Sequence, residues 1–326
     1  MLLVVSSPFI LLTPNSQQAQ YQLIDFGRGR KLERFDGRLL DRPCPAADGI
    51  PQATPKSWYK ATHRVVDKRW ETNEVEFSSD AEGAATQKVI GEIVDTASPK
   101  LAVSRTWCFR WNDLSLSLKT SPFGHVGVFP EQVENWEWLS KLGKKRIRKG
   151  SEDAPPTALN LFAYTGGSTL ALASAGFAVT HVDASKPSVQ WARSNAESSL
   201  LSHLPIRWII DDVRDFVQRE ARRKNRYDVI VLDPPAFGHG ASGKRWELDR
   251  DLGSLISDCC SLLADRPIAM LLTGHSPVLS MDYGPLEKPI FKSVSSHFAS
   301  VDSKRASLID LKGRELDCGY IFRWFN

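Results

Sequence analysis

Residues 158–185 read Ala-Leu-Asn-Leu-Phe-Ala-Tyr-Thr-Gly-Gly-Ser-Thr-Leu-Ala-Leu-Ala-Ser-Ala-Gly-Phe-Ala-Val-Thr-His-Val-Asp-Ala-Ser. Leu159 to Ala163 is a short apolar run, the pattern of a strand buried on both faces. Tyr164-Thr165-Gly166-Gly167 interrupts it, since paired glycines let the backbone turn sharply and bring main-chain N–H groups close to a ligand. Small residues from Ser168 to Ala175 allow a helix to lie flat on a sheet, and Gly176 is placed to end it. A second strand, Ala178 to Val182, finishes at Asp183.

A carboxylate at the tip of the second strand of a βαβ unit can accept both hydroxyls of an adenosine ribose. The glycine turn and helix N-terminus receive the ligand's anionic end. This arrangement serves NAD and S-adenosylmethionine equally well, and a plain strand-to-helix turn would also produce it.

The alternation continues downstream. Pro187 to Leu201 has Val189, Ala192, Ala196 and Leu200 on one side of a helix. Ile206 to Ile210 is a third strand, ending at Asp211-Asp212, and Val213 to Arg223 is a helix leading into the basic cluster Arg219, Arg222, Arg223, Lys224 and Arg226. Tyr227 to Leu232 is a fourth strand, Leu248 to Leu263 a helix and Ile268 to Thr273 a fifth strand. Ala306 to Leu311 and Gly319 to Phe325, around Lys-Gly-Arg, form a closing hairpin. Such alternation implies an open, mostly parallel sheet covered on both faces. Ligands of such sheets sit beyond the carboxyl ends of the strands, where Gly166, Asp183, Asp212 and Asp233 all fall.

Upstream the pattern differs. From Tyr21, short alternating stretches broken by Gly and Asp-Gly predict β-hairpins. Four prolines, Pro43, Pro45, Pro51 and Pro55, make residues 41–57 an extended connector. Glu74 to Phe77, Lys88 to Val94, Thr106 to Trp111 and Leu114 to Thr120 continue a small sheet, and residues 21–120 are read as a β-rich accessory domain. Trp58, Trp70, Trp107 and Trp111 belong either to its core or to a surface that stacks on bases. Residues 121–326 form the second domain with a leading hairpin and a helix, Glu131 to Leu142, that carries Val133, Trp136 and Leu139 at helical spacing. Lys144 to Lys149 is a solvated helix end or a grip for phosphates.

The chain has 326 residues, enough for two domains with full cores, and its net charge of +4 permits a nucleic-acid partner without requiring one. Five cysteines, Cys44, Cys108, Cys259, Cys260 and Cys318, make neither a C-x-x-C pair nor a ligand spacing with histidine. Reduced thiols in the cytoplasm fit that scatter, with no metal site. Leu2 to Leu12 is apolar but contains Pro8, lacks a preceding basic residue and is too short to span a bilayer. Residues 1–20 are read as an unstructured extension, with a signal peptide as the alternative, and no later segment suits a membrane.

Asp233-Pro-Pro-Ala-Phe-Gly238 is the most specific signal. Two prolines stiffen the backbone past a buried strand and remove N–H donors, leaving carbonyl oxygens and one carboxylate toward the cleft. That rim suits an amino group held while it attacks an electrophile, with Phe237 available to cover a flat ring. Here the chain resembles the class I S-adenosylmethionine-dependent methyltransferases, and within them the bacterial group of large-subunit ribosomal RNA cytosine and guanine methyltransferases. The resemblance covers about residues 123–275, through Gly127-Val-Phe-Pro-Glu-Gln132, Asn160-Leu-Phe-Ala-Tyr-Thr-Gly-Gly167, Val182-Asp-Ala-Ser185, Asp212 and Asp233-Pro-Pro. It implies a Rossmann-like α/β domain with a mostly parallel sheet, preceded by the smaller β-rich domain.

The resemblance also implies roles. Tyr164, Thr165, Gly166 and Gly167 surround the methionine part of S-adenosylmethionine; Asp183, with Ala184 and Ser185, takes the ribose. Asp212 accepts from the adenine amine beside Val213. Asp233 and Pro234 border the reactive methyl, while Phe129 and Gln132 close the pocket. Two departures stand out. Relatives that methylate carbon five of cytosine use a cysteine after strand five, whereas this chain has Leu272-Thr-Gly-His-Ser276, so methylation of an RNA nitrogen by direct transfer is the expectation. Residues 21–120 do not match the RNA-binding module of that group. A nicotinamide-dependent oxidoreductase remains the second reading, though the G-x-G-x-x-G spacing is absent. A non-catalytic RNA-binding protein resting on the two basic clusters is the third, and oligomeric state is unread.

Overall fold

A computed structural model describes residues 20–74, 90–93, 107–121, 124–147, 154–239, 243–276, 279 and 289–326. The expected extension at residues 1–20 lies outside them but for Gln20, as do the ends of the strands expected at Glu74 to Phe77 and Lys88 to Val94. β1 (Tyr21–Gly27), β2 (Arg30–Phe35) and β3 (Arg38–Pro43) form the predicted meander. Its two turns, Arg28-Gly29 and Asp36-Gly37, have both central residues at positive φ, the twist that closes two-residue hairpins. β3 runs through Pro43, and the remaining prolines of the connector start two 3-10 turns, Pro45–Ala47 and Pro55–Lys60.

β4 (His63–Val66), a four-residue strand with no alternation to betray it, pairs parallel to β3. β5 (Arg69–Glu74) and β6 (Ile90–Ile93) complete a six-stranded sheet in sequential order. β7 (Cys108–Trp111) and β8 (Leu114–Ser117) pair separately as a hairpin. Trp58, Trp70 and Trp107 are buried, so they are core residues and not a stacking surface, and Trp111 packs edge-on against Trp136.

The second unit opens with a 3-10 turn at Pro130–Gln132 and α1 (Val133–Ile147). Then follow β9 (Thr157–Leu161), α2 (Gly167–Ser174), β10 (Ala178–Asp183), α3 (Lys186–Ser198), β11 (Ile206–Ile210), α4 (Val213–Arg222) and β12 (Val229–Leu232). A short hairpin, β13 (Phe237–His239) with β14 (Arg245–Glu247), precedes α5 (Leu248–Cys260), β15 (Ala269–Gly274), α6 (Pro289–Ser295), β16 (Ser300–Ile309) and β17 (Glu315–Phe325). The sheet order is β11-β10-β9-β12-β15-β17-β16, parallel through β15 and antiparallel at the closing hairpin.

Alternation along the strands divides the core. Ala158, Val179, Val229, Val231 and Leu271 meet α1 and α2 on one face, whereas Leu159, Leu161, Ile230, Leu232 and Leu272 meet α4, α5 and α6 on the other. Cys259 and Cys260 belong to the second cluster as packing residues. The small residues of α2 have a reason beyond the sheet: a Cβ on Gly143 of α1 would fall 2.1 Å from the Ala175 carbonyl oxygen, so α1 crosses there at backbone distance. The units also touch directly. Ser115 and Ser117 of β8 donate backbone N–H bonds to Ser199 and Asn195 at 2.9 Å, and Arg314, beyond β16, pairs with Asp25 of β1.

Order reverses between β9 and β12: the chain moves from β9 outward through β10 to β11, then returns to the far side of β9. Leu161 lies level with Val182 and Leu232, so the three strand tips open onto one crevice. No described helix is long and apolar enough to cross a membrane.

Candidate active site

That crevice is a cavity of about 580 Å³, within the range of small-molecule sites. One wall is the turn after β9. Phe162 and Tyr164 hold φ of +55° and +49°, a left-handed conformation that non-glycine residues adopt at a cost of roughly 1–2 kcal/mol each. The conformation aims the Tyr164 N–H at Asp183 Oδ2 at 2.8 Å, while the Ser185 N–H meets Oδ1 at 2.8 Å. Burial raises the Asp183 pKa, opposed by these two N–H bonds. The carboxylate is fixed at the cavity wall with lone pairs to spare.

Asp212 caps α4, accepting from the Arg214 N–H at 2.9 Å, and Arg214's guanidinium reaches both of its oxygens at 3.1 and 2.8 Å. Burial would raise its pKa, but the hydrogen bonds and charge of Arg214 prevail and lower it. Any donor that reached Asp212 from the cavity would share it with Arg214. Val213 lines the cavity beside it.

Asp233 is held twice. Thr273 donates its hydroxyl to Oδ1 at 2.5 Å, and Gln132 donates Nε2–H to Oδ2 at 3.2 Å. The Gln132 amide is oriented in turn by Asn135, whose Nδ2 donates to Gln132 Oε1 at 2.8 Å and whose Oδ1 accepts from Arg323 at 2.7 Å. Burial pushes the Asp233 pKa up to about 6, with the Thr273 bond opposing and the Glu131 charge adding. The rim is less open than expected, because the Pro235 carbonyl already accepts from Trp246 Nε1 at 2.7 Å. The Pro234 carbonyl and Asp233 remain.

Of the predicted site residues, Phe129, Gln132, Tyr164, Thr165, Gly167, Asp183, Ala184, Ser185, Asp212, Val213, Asp233 and Pro234 line this one cavity. Gly166 stands behind the wall, where a Cβ would come 3.0 Å from Ala192. Phe237 departs from its expected place as a cover: it is 64% exposed on β13 and is not in the lining, whereas Trp246, across the hairpin, is buried and in it. A proline-stiffened turn gives no clue to which ring of a three-residue hairpin turns inward.

The roof is the segment 124–132. Thr165 Oγ1 donates to the Gly127 carbonyl at 2.5 Å, and the Phe129 ring lies 5.8 Å from Tyr164. Glu131, to which the sequence assigned no role at the site, lines the cavity with Oε2 buried and without a partner among the described residues. Among the described residues four carboxylates, Glu131, Asp183, Asp212 and Asp233, thus line the cavity, against one guanidinium, Arg214, already paired with Asp212 and Asp251. Cys318 also lines it, but burial drives its pKa far up and keeps the thiol protonated. No cluster of metal-ligating side chains occurs among the described residues.

No family model matches the chain. It is 32% identical over 179 residues to a ribosomal RNA large subunit methyltransferase K/L of Hahella chejuensis, covering 53% of this chain and 22% of that protein. It is 27% identical over 200 residues to ribosomal RNA large subunit methyltransferase I of Aeromonas salmonicida, covering 60% of this chain and 45% of that one. The chain therefore spans less than half the length of these relatives. The crystal structure of a SAM-dependent methyltransferase from Agrobacterium tumefaciens superposes with a TM-score of 0.75 at 31% identity, over 95% of this chain and 91% of that one.

Proposed function

The chain belongs to the S-adenosylmethionine-dependent methyltransferases, and we propose that it delivers the methyl group to a nitrogen of an RNA base, ribosomal RNA foremost, without a cysteine nucleophile. The acid-lined cavity fits the cofactor. Its carboxylates, and above all Glu131 Oε2, which has no partner among the described residues, suit a ligand carrying a sulfonium and an ammonium. The same lining opposes the pyrophosphate of a nicotinamide dinucleotide. When bound, the cofactor supplies an electrophilic methyl whose departure leaves a neutral thioether, so the protein's contribution is orientation and electrostatics.

The observation that carries the proposal is Asp233, with one donor on each oxygen and the Pro234 carbonyl beside it. An amino group offered to this pair meets acceptors only, which turns its hydrogens to the wall and its lone pair to the cavity. Cys318 supports direct transfer, because a thiol held protonated is a poor nucleophile. The curated relatives support RNA as the substrate. A base in a helix would have to be flipped out to reach the cavity. Five free cysteines support a cytoplasmic setting.

The test is transfer from deuteromethyl-labelled S-adenosylmethionine to unmodified ribosomal RNA, with digestion and mass spectrometry of the nucleosides. An N-methylated nucleoside with the heavy label is expected. Label on carbon five of a pyrimidine, or on co-purifying protein alone, would overturn the proposal.

A further inference from the structure

The accessory sheet carries a second concavity, bounded by the tips of two hairpins and by the 3-10 turn Pro55–Lys60. Arg28, Arg30, Arg64 and Lys68 line it, against the two carboxylates Asp41 and Asp67. Arg30 and Arg64 are structural as well as cationic. Each pairs with Asp41, at 2.6 and 2.7 Å, and each donates to a backbone carbonyl, Val65 and Trp58 respectively. Arg28 and Lys68 are exposed and make neither an ion pair nor a side-chain hydrogen bond among the described residues. Beside them Tyr59 is 84% exposed, while its neighbour Trp58 is buried and anchored through Nε1 to Asp25 at 2.8 Å.

The backbone makes the cations notable. Arg28 and Lys68 occupy hairpin-turn positions at φ of +54° and +63°, where glycine, asparagine or aspartate is the unstrained choice. Other hairpin turns of this region follow that choice, with Asp36-Gly37 between β2 and β3 and Asn112 between β7 and β8. Two long cationic side chains thus sit in strained turns, and both turns border this groove. We infer that the groove holds a single-stranded stretch of RNA, with phosphates on Arg28 and Lys68 and a base stacked on Tyr59. Charge complementarity and an exposed ring anchored on a fixed turn are the two requirements of a single-strand platform.

The groove also connects to the active site. Val65, in its floor, and Pro43, in its wall, pack under Gly124, where a Cβ would stand 3.5 and 3.4 Å from them. Gly124 begins the roof segment that carries Phe129, Glu131 and Gln132 into the cavity, and Arg42 of β3 donates to its carbonyl at 3.2 Å. Groove and roof are therefore in contact, so RNA gripped in the groove would bear on the segment that roofs the cavity. This inference rests on RNA being the substrate.

The test uses the full chain and a fluorescein-labelled 20-nucleotide single-stranded RNA of mixed sequence, read by anisotropy across a salt series, with S-adenosylhomocysteine binding as a control. Lys68→Gly relaxes the turn, so its melting temperature should rise while RNA affinity falls about threefold or more and the salt slope drops by roughly 0.7. Arg28→Glu with Lys68→Glu should cost at least about tenfold, and Tyr59→Ala about fivefold or more. S-adenosylhomocysteine should bind all of them as it binds wild type. If these variants hold RNA normally while Arg222→Glu with Lys224→Glu, at and just beyond the end of α4, does not, the groove assignment falls and RNA methylation stands. If wild type binds S-adenosylhomocysteine but no RNA, both fall together. Equal loss of binding to phosphatidylserine vesicles, with Tyr59→Ala silent, would overturn the groove as an RNA site and make it a general polyanion surface.

Discussion

Replacing Asp233 by asparagine should stabilise the protein while abolishing its activity, because the side chain stands where burial opposes its charge. A carboxyl whose pKa is about 6 in the folded state and 3.8 unfolded binds its proton more tightly when folded. Its contribution to stability is therefore greatest below pH 3.8 and is lost as pH rises through 6. At about 1.4 kcal/mol per pKa unit, the ionised group costs about 3 kcal/mol at pH 8 and roughly half as much at pH 5. The amide keeps the Thr273 bond but sets a donor against Gln132 Nε2, a loss of about 1 kcal/mol. The net gain is about 2 kcal/mol at pH 8. With 326 residues and roughly 2.1 cal/mol/K of unfolding entropy per residue, the melting temperature should rise by about 3 °C. Scanning calorimetry at pH 8 and pH 5 should show that advantage shrink by about 2 °C at the lower pH, alongside methyl transfer reduced at least about a hundredfold. A variant less stable than wild type at both pH values, or one whose methyl transfer falls by less than about tenfold, would refute the reasoning.

Other substitutions separate binding, folding and chemistry. Asp183→Ala removes the carboxylate fixed by Tyr164 and Ser185, so calorimetry should find S-adenosylhomocysteine binding weakened about tenfold to a hundredfold with the melting temperature little changed. Gly127→Ala places a Cβ 2.2 Å from the Trp191 ring at a φ of +95°, and urea unfolding should show a loss of about 3 kcal/mol. Cys318→Ser should keep methyl transfer within about twofold of wild type, whereas a thiol nucleophile would lose it by orders of magnitude.

The nucleotide-type domain was readable because its central strands β9, β10, β12 and β15 are buried on both faces and α3, α4 and α5 each bury an apolar side. From Leu159 to Leu232 the sequence placed strands and helices within three residues of their observed ends. β4 escaped because four residues of His-Arg-Val-Val have no period, and β13 and β14 because three-residue strands cannot show one. The site was legible where function demands a particular backbone: a glycine turn, an acid at a strand tip, two prolines after a strand. It was illegible where partners come from afar. Thr273 meets Asp233 across 40 residues, and Arg323 reaches Asn135 across 188, contacts that only the sheet order brings about. Trp246 carried no signal of its own in the sequence, and only the pairing of the short hairpin places it, and not Phe237, in the cavity lining.

Four strand tips meeting at one cofactor site is the claim on which everything else depends, and amide hydrogen exchange with and without S-adenosylhomocysteine tests it most directly. Protection should appear together at residues 163–167, 183–185, 212–213 and 233–236, with none around Arg28 and Lys68. Protection confined to one of those segments, or an equal pattern produced by NAD, would contradict it.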